Sequence, residues 1–297
     1  MLSGSNLIMS TVATSHRLTM LLVSFVICSP ICWAADEELL RVMTFNVRYG
    51  SAPDKENSWP LRREMVLSLV GDSACDVIGL QEALQFQIDE LTTAFPCYSS
   101  LGVGREADGG GEYSAILYDG SRFDVRQAST FWLSETPERS GSRSWGNELP
   151  RICTWARLFD RKNKQTFYVF NTHWDHQSQK SREHSGLLIS DRIANLKNQD
   201  APVILLGDFN VGHRNPAWTH LMNAGLRDSF RDLSADATGI GTFHAFQGSI
   251  QGEKIDAILV SSHWQVEAAG INRTNAAGRY PSDHFPVTAT LLLKERE

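Results

Sequence analysis

The sequence predicts a single α/β domain built on mixed β-sheets. Three observations carry this. Apolar, β-rich runs recur along nearly the whole chain. Two of them are continuously apolar, as strands covered on both faces are. Helical periodicity falls between them, and no Pro- or Ser-rich linker divides the chain. In order, strands are expected at Leu40–Val47, Asp76–Leu80, Ser114–Tyr118, Phe123–Trp132, Thr154–Phe159, Thr166–Thr172, Val203–Gly207, Ile255–Val260 and Val287–Leu293. The continuous runs Val77-Ile78-Gly79-Leu80 and Val203-Ile204-Leu205-Leu206 mark central strands. One helix is expected from Trp59-Pro60, with Pro in the first helical turn and Leu61, Met65 and Leu69 on one face. A second, over Gln177–Asn198, places Ile189, Ile193 and Leu196 together, and a third runs from Asn215-Pro216 to Met222. Gly102–Gly111 and Glu135–Leu149 read as loops.

The 297 residues are 42% hydrophobic and 21% charged, which excludes a disordered chain, a collagen-like fibre and a small disulfide scaffold. No repeat of fixed period points to a solenoid or propeller. Arg17 precedes an apolar stretch from Leu18 to Trp33 that ends in Cys32-Trp33-Ala34, the pattern of a signal peptide cut after Ala34. The stretch is too short to span a bilayer comfortably. The expectation is a signal peptide over 1–34 and one domain over 35–297, exported to the periplasm or secreted, with no stable membrane insertion after cleavage. The net charge of −6 argues mildly against a long polyanion as partner. Cys28 and Cys32 leave with the signal, so Cys75, Cys97 and Cys153 remain, an odd number with no C-x-x-C pair for a zinc knuckle.

Polar residues of catalytic type collect at the ends of the expected strands. Asn46 closes Met43-Thr44-Phe45-Asn46, and Gln81-Glu82 follows Gly79-Leu80. Asn171-Thr172-His173, Gly207-Asp208-Phe209-Asn210 and Ser282-Asp283-His284 occupy similar places, and Asp256 lies within Ile255-Asp256-Ala257-Ile258. Any one of these has a plain reading as a turn residue, a helix cap or a solvated charge. Together they define one rim, because strand ends of an α/β sheet converge where ligands bind.

Their chemistry is coherent. Glu82, Asp283 and the amide of Asn46 offer oxygen ligands to a hard cation, and with no thiol among these motifs Mg2+ or Mn2+ is favoured over zinc. His284 suits a general base for water, with Asp256 as the carboxylate on its other ring nitrogen. His173 can donate to a phosphoryl oxygen, Asp208 can orient the nucleophile and Asn210 can donate to developing charge. That set describes metal-assisted attack of water on a phosphoester.

These motifs, in this order, resemble the endonuclease/exonuclease/phosphatase superfamily. The matching pieces are Thr44-Phe45-Asn46, Gly79-Leu80-Gln81-Glu82, Asn171-Thr172-His173, Gly207-Asp208-Phe209-Asn210, Lys254-Ile255-Asp256 and Pro281-Ser282-Asp283-His284-Phe285-Pro286-Val287. The resemblance implies a four-layer α/β sandwich, two mixed sheets face to face with helices outside. It implies Glu82 as main metal ligand with Asn46 and Asp283 nearby, and Asp208 with Asn210 positioning nucleophile and phosphate. His284 with Asp256 is the implied catalytic pair. It further implies His173 as the second histidine of the deoxyribonuclease-like branch, paired with Glu112, and Arg151 as a phosphate contact. Family members are often monomers, which is the expectation here.

The substrate stays open among DNA, RNA, a phosphoinositide, a sphingolipid and a small sugar phosphate. Arg139, Arg143 and Arg151 in or near the polar loop are available to phosphate, or are solvated. No exposed apolar hairpin of the kind a sphingomyelinase would use is apparent. Trp174 and His176, in His173-Trp174-Asp175-His176, are expected to shape the cleft, with simple packing of Trp174 as the alternative; His244 is a further expected contact. Rival classes are a lipid or inositol-phosphate phosphatase, a binding module of the same fold without chemistry, and a glycosidase using Glu82 and Asp208. The last leaves His173, Asn210 and His284 unexplained.

Overall fold

A computed structural model describes Met1, residues 38–196 and residues 200–294. Apart from Met1, the expected signal segment lies outside the described residues, as do residues 197 and 198 of the second expected helix. The fold occupies the compact unit Ala35–Glu297. Its elements run β1 (Leu40–Asn46), a 3-10 turn (Lys55–Asn57), α1 (Trp59–Ser73), β2 (Val77–Ala83), α2 (Gln85–Ala94), β3 (Tyr98–Leu101), β4 (Tyr113–Asp119) and β5 (Phe123–Trp132). They continue with β6 (Ile152–Asp160), β7 (Gln165–His173), α3 (Gln179–Ala194), β8 (Val203–Asp208), α4 (Pro216–Asn223), β9 (Arg227–Asp228), α5 (Ser229–Leu233), β10 (Asp256–Val260), β11 (Trp264–Ile271) and β12 (Val287–Leu293). Among the described residues no helix is long and apolar enough to cross a membrane.

The strands form two six-stranded sheets, in the orders β11-β12-β1-β2-β4-β3 and β5-β6-β7-β8-β10-β9. Both are mixed. β1 pairs parallel with β2, and β7 with β8. A parallel neighbour needs a crossover, which α1 and α3 supply. Their flanking pairs, β1 with β12, β2 with β4, β6 with β7 and β8 with β10, are antiparallel.

Period-two alternation then builds three cores and hence four layers. Val42, Val77, Ile116, Val169, Ile204, Leu206, Ile258 and Val287 meet between the sheets. Their sequence neighbours Met43, Phe45, Ile78 and Leu80 face outward onto Trp59, Val66 and Leu69 of α1 and Ile88 and Leu91 of α2. On the opposite side Phe170, Val203, Leu205 and Leu259 pack on Ile189 of α3 and Trp218 and Leu221 of α4. The expected four-layer sandwich is the observed one.

Local expectations differ from the structure in instructive ways. The buried face of α1 is Arg62, Val66 and Leu69, while Leu61 is 55% exposed. A hydropathy pattern misplaces this face because Arg62 holds a core position through its hydrogen bonds. Its guanidinium donates to the carbonyls of Val47 at 2.6 Å, Arg48 at 2.8 Å, Pro281 at 2.9 Å and Asn57 at 3.0 Å. Burial pushes its pKa down to about 10. Arg62 thereby joins α1 to the two loops that carry Arg48 and Asp283. The short strands β3 and β9 and the helices α2 and α5 were not expected, nor was the edge strand β11, although Trp264-Gln265-Val266-Glu267-Ala268 alternates as a strand does.

One polar bridge crosses the otherwise apolar inter-sheet core. Asn171 of β7 donates to the carbonyls of Leu80 at 2.9 Å and Ala115 at 2.7 Å, and accepts from the Gln81 amide at 2.6 Å. Gly79 makes room for it, since a Cβ there would stand 2.8 Å from Asn171 Oδ1. The bridge fixes the end of β2 against the end of β7, where the polar motifs emerge.

Candidate active site

β1 and β2 end side by side, Asn46 opposite Gln81, and deliver Asn46 and Glu82 to the rim. A bulge between Gln81 and Ala83 puts Glu82 at φ +61°, a left-handed conformation that costs a non-glycine residue roughly 1–2 kcal/mol. It turns the Glu82 carboxylate out of the sheet. One oxygen accepts from Asn46 Nδ2 at 3.1 Å and the other from the Tyr49 backbone N–H at 3.2 Å. Arg48, clamped by Asp54 at 2.9 and 3.0 Å, lies 3.9 Å from both Glu82 and Asp283. Burial holds the Asp283 carboxyl above its ordinary range. Glu82 and Asp283 thus form a hard, all-oxygen pair suited to a divalent cation. Asn46, the third expected ligand, stands beside this pair. Its amide nitrogen faces Glu82 and also Asp208 at 3.0 Å, and its oxygen accepts from the Arg48 N–H at 3.0 Å. It tethers two carboxylates.

The second sheet supplies Asp208 and Asp256, and His284 meets them from the loop that leads into β12 of the first sheet. β8 ends at Asp208, directly opposite Asp256 of the antiparallel β10. His284 Nδ1 lies 2.9 Å from Asp256 Oδ2, and its Nε2 3.8 Å from Asp208 Oδ2. Burial opposes protonation of His284, but Asp256 and Asp208 outweigh it and hold the imidazole well above the usual histidine range. Burial, with Asp256 next, pushes Asp208 up to about 7. Asp208, Asp256 and His284 also place one donor atom each within 4.8 Å of one another, and Asp256 Oδ1 is buried there without a hydrogen-bond partner. Asn210, at φ +54°, donates its backbone N–H to Asp208 at 2.9 Å and its side-chain amide to the Trp174 carbonyl at 3.0 Å.

His173 ends β7 beside these groups, with Nε2 3.5 Å from Asp208. Burial, then Arg151 and Arg105, keep its pKa well below the ordinary value, so it is a neutral imidazole. Glu112 lies in the same cleft but takes another partner than the expected His173: Arg105 donates to its carboxylate at 2.6 Å. Burial raises Glu112 to about 7 against the pull of Arg105. Arg151 contacts His176 Nδ1 at 2.9 Å and lies 3.5 Å from Asp175. These groups line one open cleft of about 480 Å³, together with Glu82, Asp208, Asn210, Asp283 and His284.

Two expected contacts are not in the cleft. Trp174 is fully buried and packs edge-on against Phe209 in the core under α3 and α4, so only its carbonyl serves the site. His244 stacks on Phe285 at 3.9 Å, its Nδ1 accepts from the Gly248 N–H at 3.2 Å, and burial pushes its pKa down to about 4. Its neighbour Phe243 is the cleft residue, 48% exposed and 5.0 Å from the His284 ring. Arg48, Tyr49, Arg105, Leu149 and Phe243 all line the cleft without having been singled out as site residues. Arg48 and Tyr49 follow the Asn46 motif directly, a signal that was available; the other three reach the site only through loop folding.

Comparison with known proteins agrees with this geometry. A model of the Endonuclease/Exonuclease/phosphatase family matches residues 43–284. An endonuclease/exonuclease/phosphatase family protein from Bacteroides thetaiotaomicron superposes with a TM-score of 0.81 at 32% identity, covering 86% of this chain and 95% of that one. A mannosyl-6-phosphatase from the same organism superposes with a TM-score of 0.80 at 33% identity, over 86% of this chain and 100% of that one. A protein of Acanthamoeba polyphaga mimivirus is 26% identical over 187 residues, 58% of this chain and 67% of its own length.

Proposed function

The chain belongs to the endonuclease/exonuclease/phosphatase family, and from that premise we propose an exported, monomeric, Mg2+- or Mn2+-dependent phosphoester hydrolase whose substrate carries a sugar as its alcohol part. Phosphoric ester hydrolysis and use of a divalent metal are the family's common chemistry. The observation that carries the proposal is the meeting, in one cleft, of the Glu82–Asp283 oxygen pair with the Asp208–His284–Asp256 cluster. Glu82 and Asp283 would hold the cation, with Asn46 steering Glu82. The cation supplies charge neutralisation at the phosphoryl oxygens.

The chain's own residues do the rest. Asp208, fixed by Asn46 and the Asn210 N–H, orients the attacking water. The proton released as the water oxygen bonds to phosphorus enters the Asp208–His284–Asp256 cluster. The P–O ester bond breaks and the alcohol leaves, taking up a proton, with inorganic or monoester phosphate as the other product. His173 and Asn210 face the phosphoryl oxygens, and Arg151 adds positive charge. Phe243, Leu149 and Tyr49 give the mouth of the cleft an apolar rim, suited to the flat face of a sugar ring. The mannosyl-6-phosphatase relative supports a sugar phosphate, and the acidic net charge disfavours nucleic acid.

The test is hydrolysis, with Mg2+ and with chelator, of mannose 6-phosphate and an inositol polyphosphate, read as phosphate release, of sphingomyelin, read as phosphocholine release, and of plasmid DNA, read as strand nicking. Chelator-sensitive turnover of the sugar phosphate supports the proposal. Turnover of one of the others alone replaces the substrate class, and a folded protein inert on all four overturns it. Export is tested on the full chain in cells, where an extracytoplasmic protein beginning at Ala35 is expected.

A further inference from the structure

Arg105 sits in the loop between β3 and β4 and lines the cleft beside Arg151 and His173. Both arginines are buried, at 8% and 3% exposure. Each is held by one strong contact, Arg105 by Glu112 and Arg151 by His176. Each keeps a buried Nε without a hydrogen-bond partner, with Glu106 at 3.6 Å and Asp175 at 3.5 Å too far to bond. A buried donor left unpaired is costly unless a ligand completes it. The main chain fixes Arg105 as well: its N–H donates to the Glu112 carbonyl at 3.0 Å and its carbonyl accepts from Trp132 Nε1 at 2.7 Å. Arg105 is thus anchored by its main chain and by Glu112 while its side chain lines the cleft.

Arg105, Glu112, Arg151 and His173 close that end of the cleft. Beside the cleft they line, with Tyr113, Ser114, Pro150 and Ile152, a separate cavity of about 10 Å³, room for no more than one water. A phosphomonoester near neutral pH carries about −1.5 to −2 charge and three non-bridging oxygens. A diester carries a single negative charge and two such oxygens, and its second carbon substituent needs an exit. The Arg105 end offers donors and positive charge but no exit.

We propose that Arg105, acting with Arg151, is a substrate-contacting residue that binds the third phosphoryl oxygen and selects a phosphomonoester dianion over a phosphodiester. The proposal rests on the hydrolase reading above and adds the residue that sets its specificity.

The test uses the full enzyme with Mg2+ on p-nitrophenyl phosphate and bis(p-nitrophenyl) phosphate, which share a leaving group. The wild type is expected to favour the monoester in kcat/KM. Arg105→Gln should lower the monoester value by about 10- to 100-fold, the scale of a charge-assisted hydrogen bond, and change the diester value little. Arg105→Lys should recover part of the ratio, because an ammonium keeps the charge but not the fork. A wild type that prefers the diester, or a ratio unchanged in every variant that folds, overturns the proposal. A second measurement needs no turnover. Metal-free protein in chelator is titrated calorimetrically with inorganic phosphate, and Arg105→Gln should weaken binding by about 10-fold or more. Absent binding in the wild type, or equal binding in the variant, also overturns it. If neither ester is hydrolysed, the hydrolase reading fails, while the phosphate titration still decides the role of Arg105.

Discussion

The two sheets repeat one device and equip it differently. In each, a central parallel pair is joined by a helix on the outer face: β1–α1–β2 in the first, β7–α3–β8 in the second. The first device ends in Asn46 and Glu82, oxygen-bearing groups beside Arg48. The second ends in His173 and Asp208, imidazole and carboxylate beside Arg151. On the proposed function, one sheet would seat the cation and the other would supply an imidazole and a carboxylate to the proton and the anion. Asn46 bonds to Glu82 and to Asp208 and so touches both. A phosphoester needs both signs of charge at once, and two packed sheets let each be preorganised on its own rigid frame.

The comparison breaks most visibly at the proton-handling cluster, where Asp208 and Asp256 of the second sheet meet His284 from the loop before β12 of the first. Asp208→Ala and His284→Ala should each lower kcat by about 10³-fold or more, the upper range for loss of a positioned acid or base. Circular dichroism and the melting transition should keep their native form. Near wild-type turnover in either variant would remove the proton-handling role from this side of the cleft.

On the first sheet the expected signature differs in kind. Glu82→Gln keeps the shape of the side chain and removes a ligand charge. Partners that merely orient metal ligands are worth about 10- to 100-fold in metal affinity, so the Mg2+ concentration for half-maximal activity should rise by at least that factor. Excess Mg2+ should restore part of the rate, whereas it should not rescue Asp208→Ala. Equal behaviour of the two variants in a Mg2+ titration would show that the sheets do not divide the work.

Much of this was legible in the sequence, for physical reasons. Val77–Leu80 and Val203–Leu206 announce central strands because covering both faces forces continuous apolarity. The rim residues Asn46, Glu82, His173 and Asp208 were visible because each abruptly ends such a run. Residues whose roles depend on hydrogen bonds rather than polarity were not. Arg62 occupies a core position by satisfying four carbonyls, and Arg105 enters the cleft on a loop whose path no periodicity records. The expected Glu112–His173 pair failed for the same reason, since the nearby Arg105 takes the carboxylate first.

The join between the sheets can be tested separately from either end. In Gly79→Ala the added methyl would meet Asn171 Oδ1 at 2.8 Å, Asn171 Cγ at 2.9 Å and Leu206 Cβ at 3.0 Å. Overpacking of this kind costs about 1–3 kcal/mol, or a fall in Tm of roughly 4–8 °C for the middle of that range. Because Asn171 ties β7 to β2 near the rim, kcat should fall with it; an unchanged Tm would mean that the sheets are not fixed by this bridge.

The smallest effect on activity belongs to Trp174, which the sequence placed beside the chemistry and the fold places behind it. Its ring is sealed in the core against Phe209, and its indole N–H has no partner. Trp174→Phe removes ring volume from a packed site, which costs stability, but it also removes a buried unpaired donor, which relieves some of that cost. The net loss should be about 1–2 kcal/mol, well below a truncation to Ala. The backbone carbonyl that receives Asn210 Nδ2 is untouched, so kcat/KM on a sugar phosphate should stay within about threefold of wild type. A loss of activity much larger than the change in Tm would return Trp174 to the cleft wall. A fall in Tm without it would confine base or sugar stacking to Phe243, the aromatic ring that stands in the open beside His284.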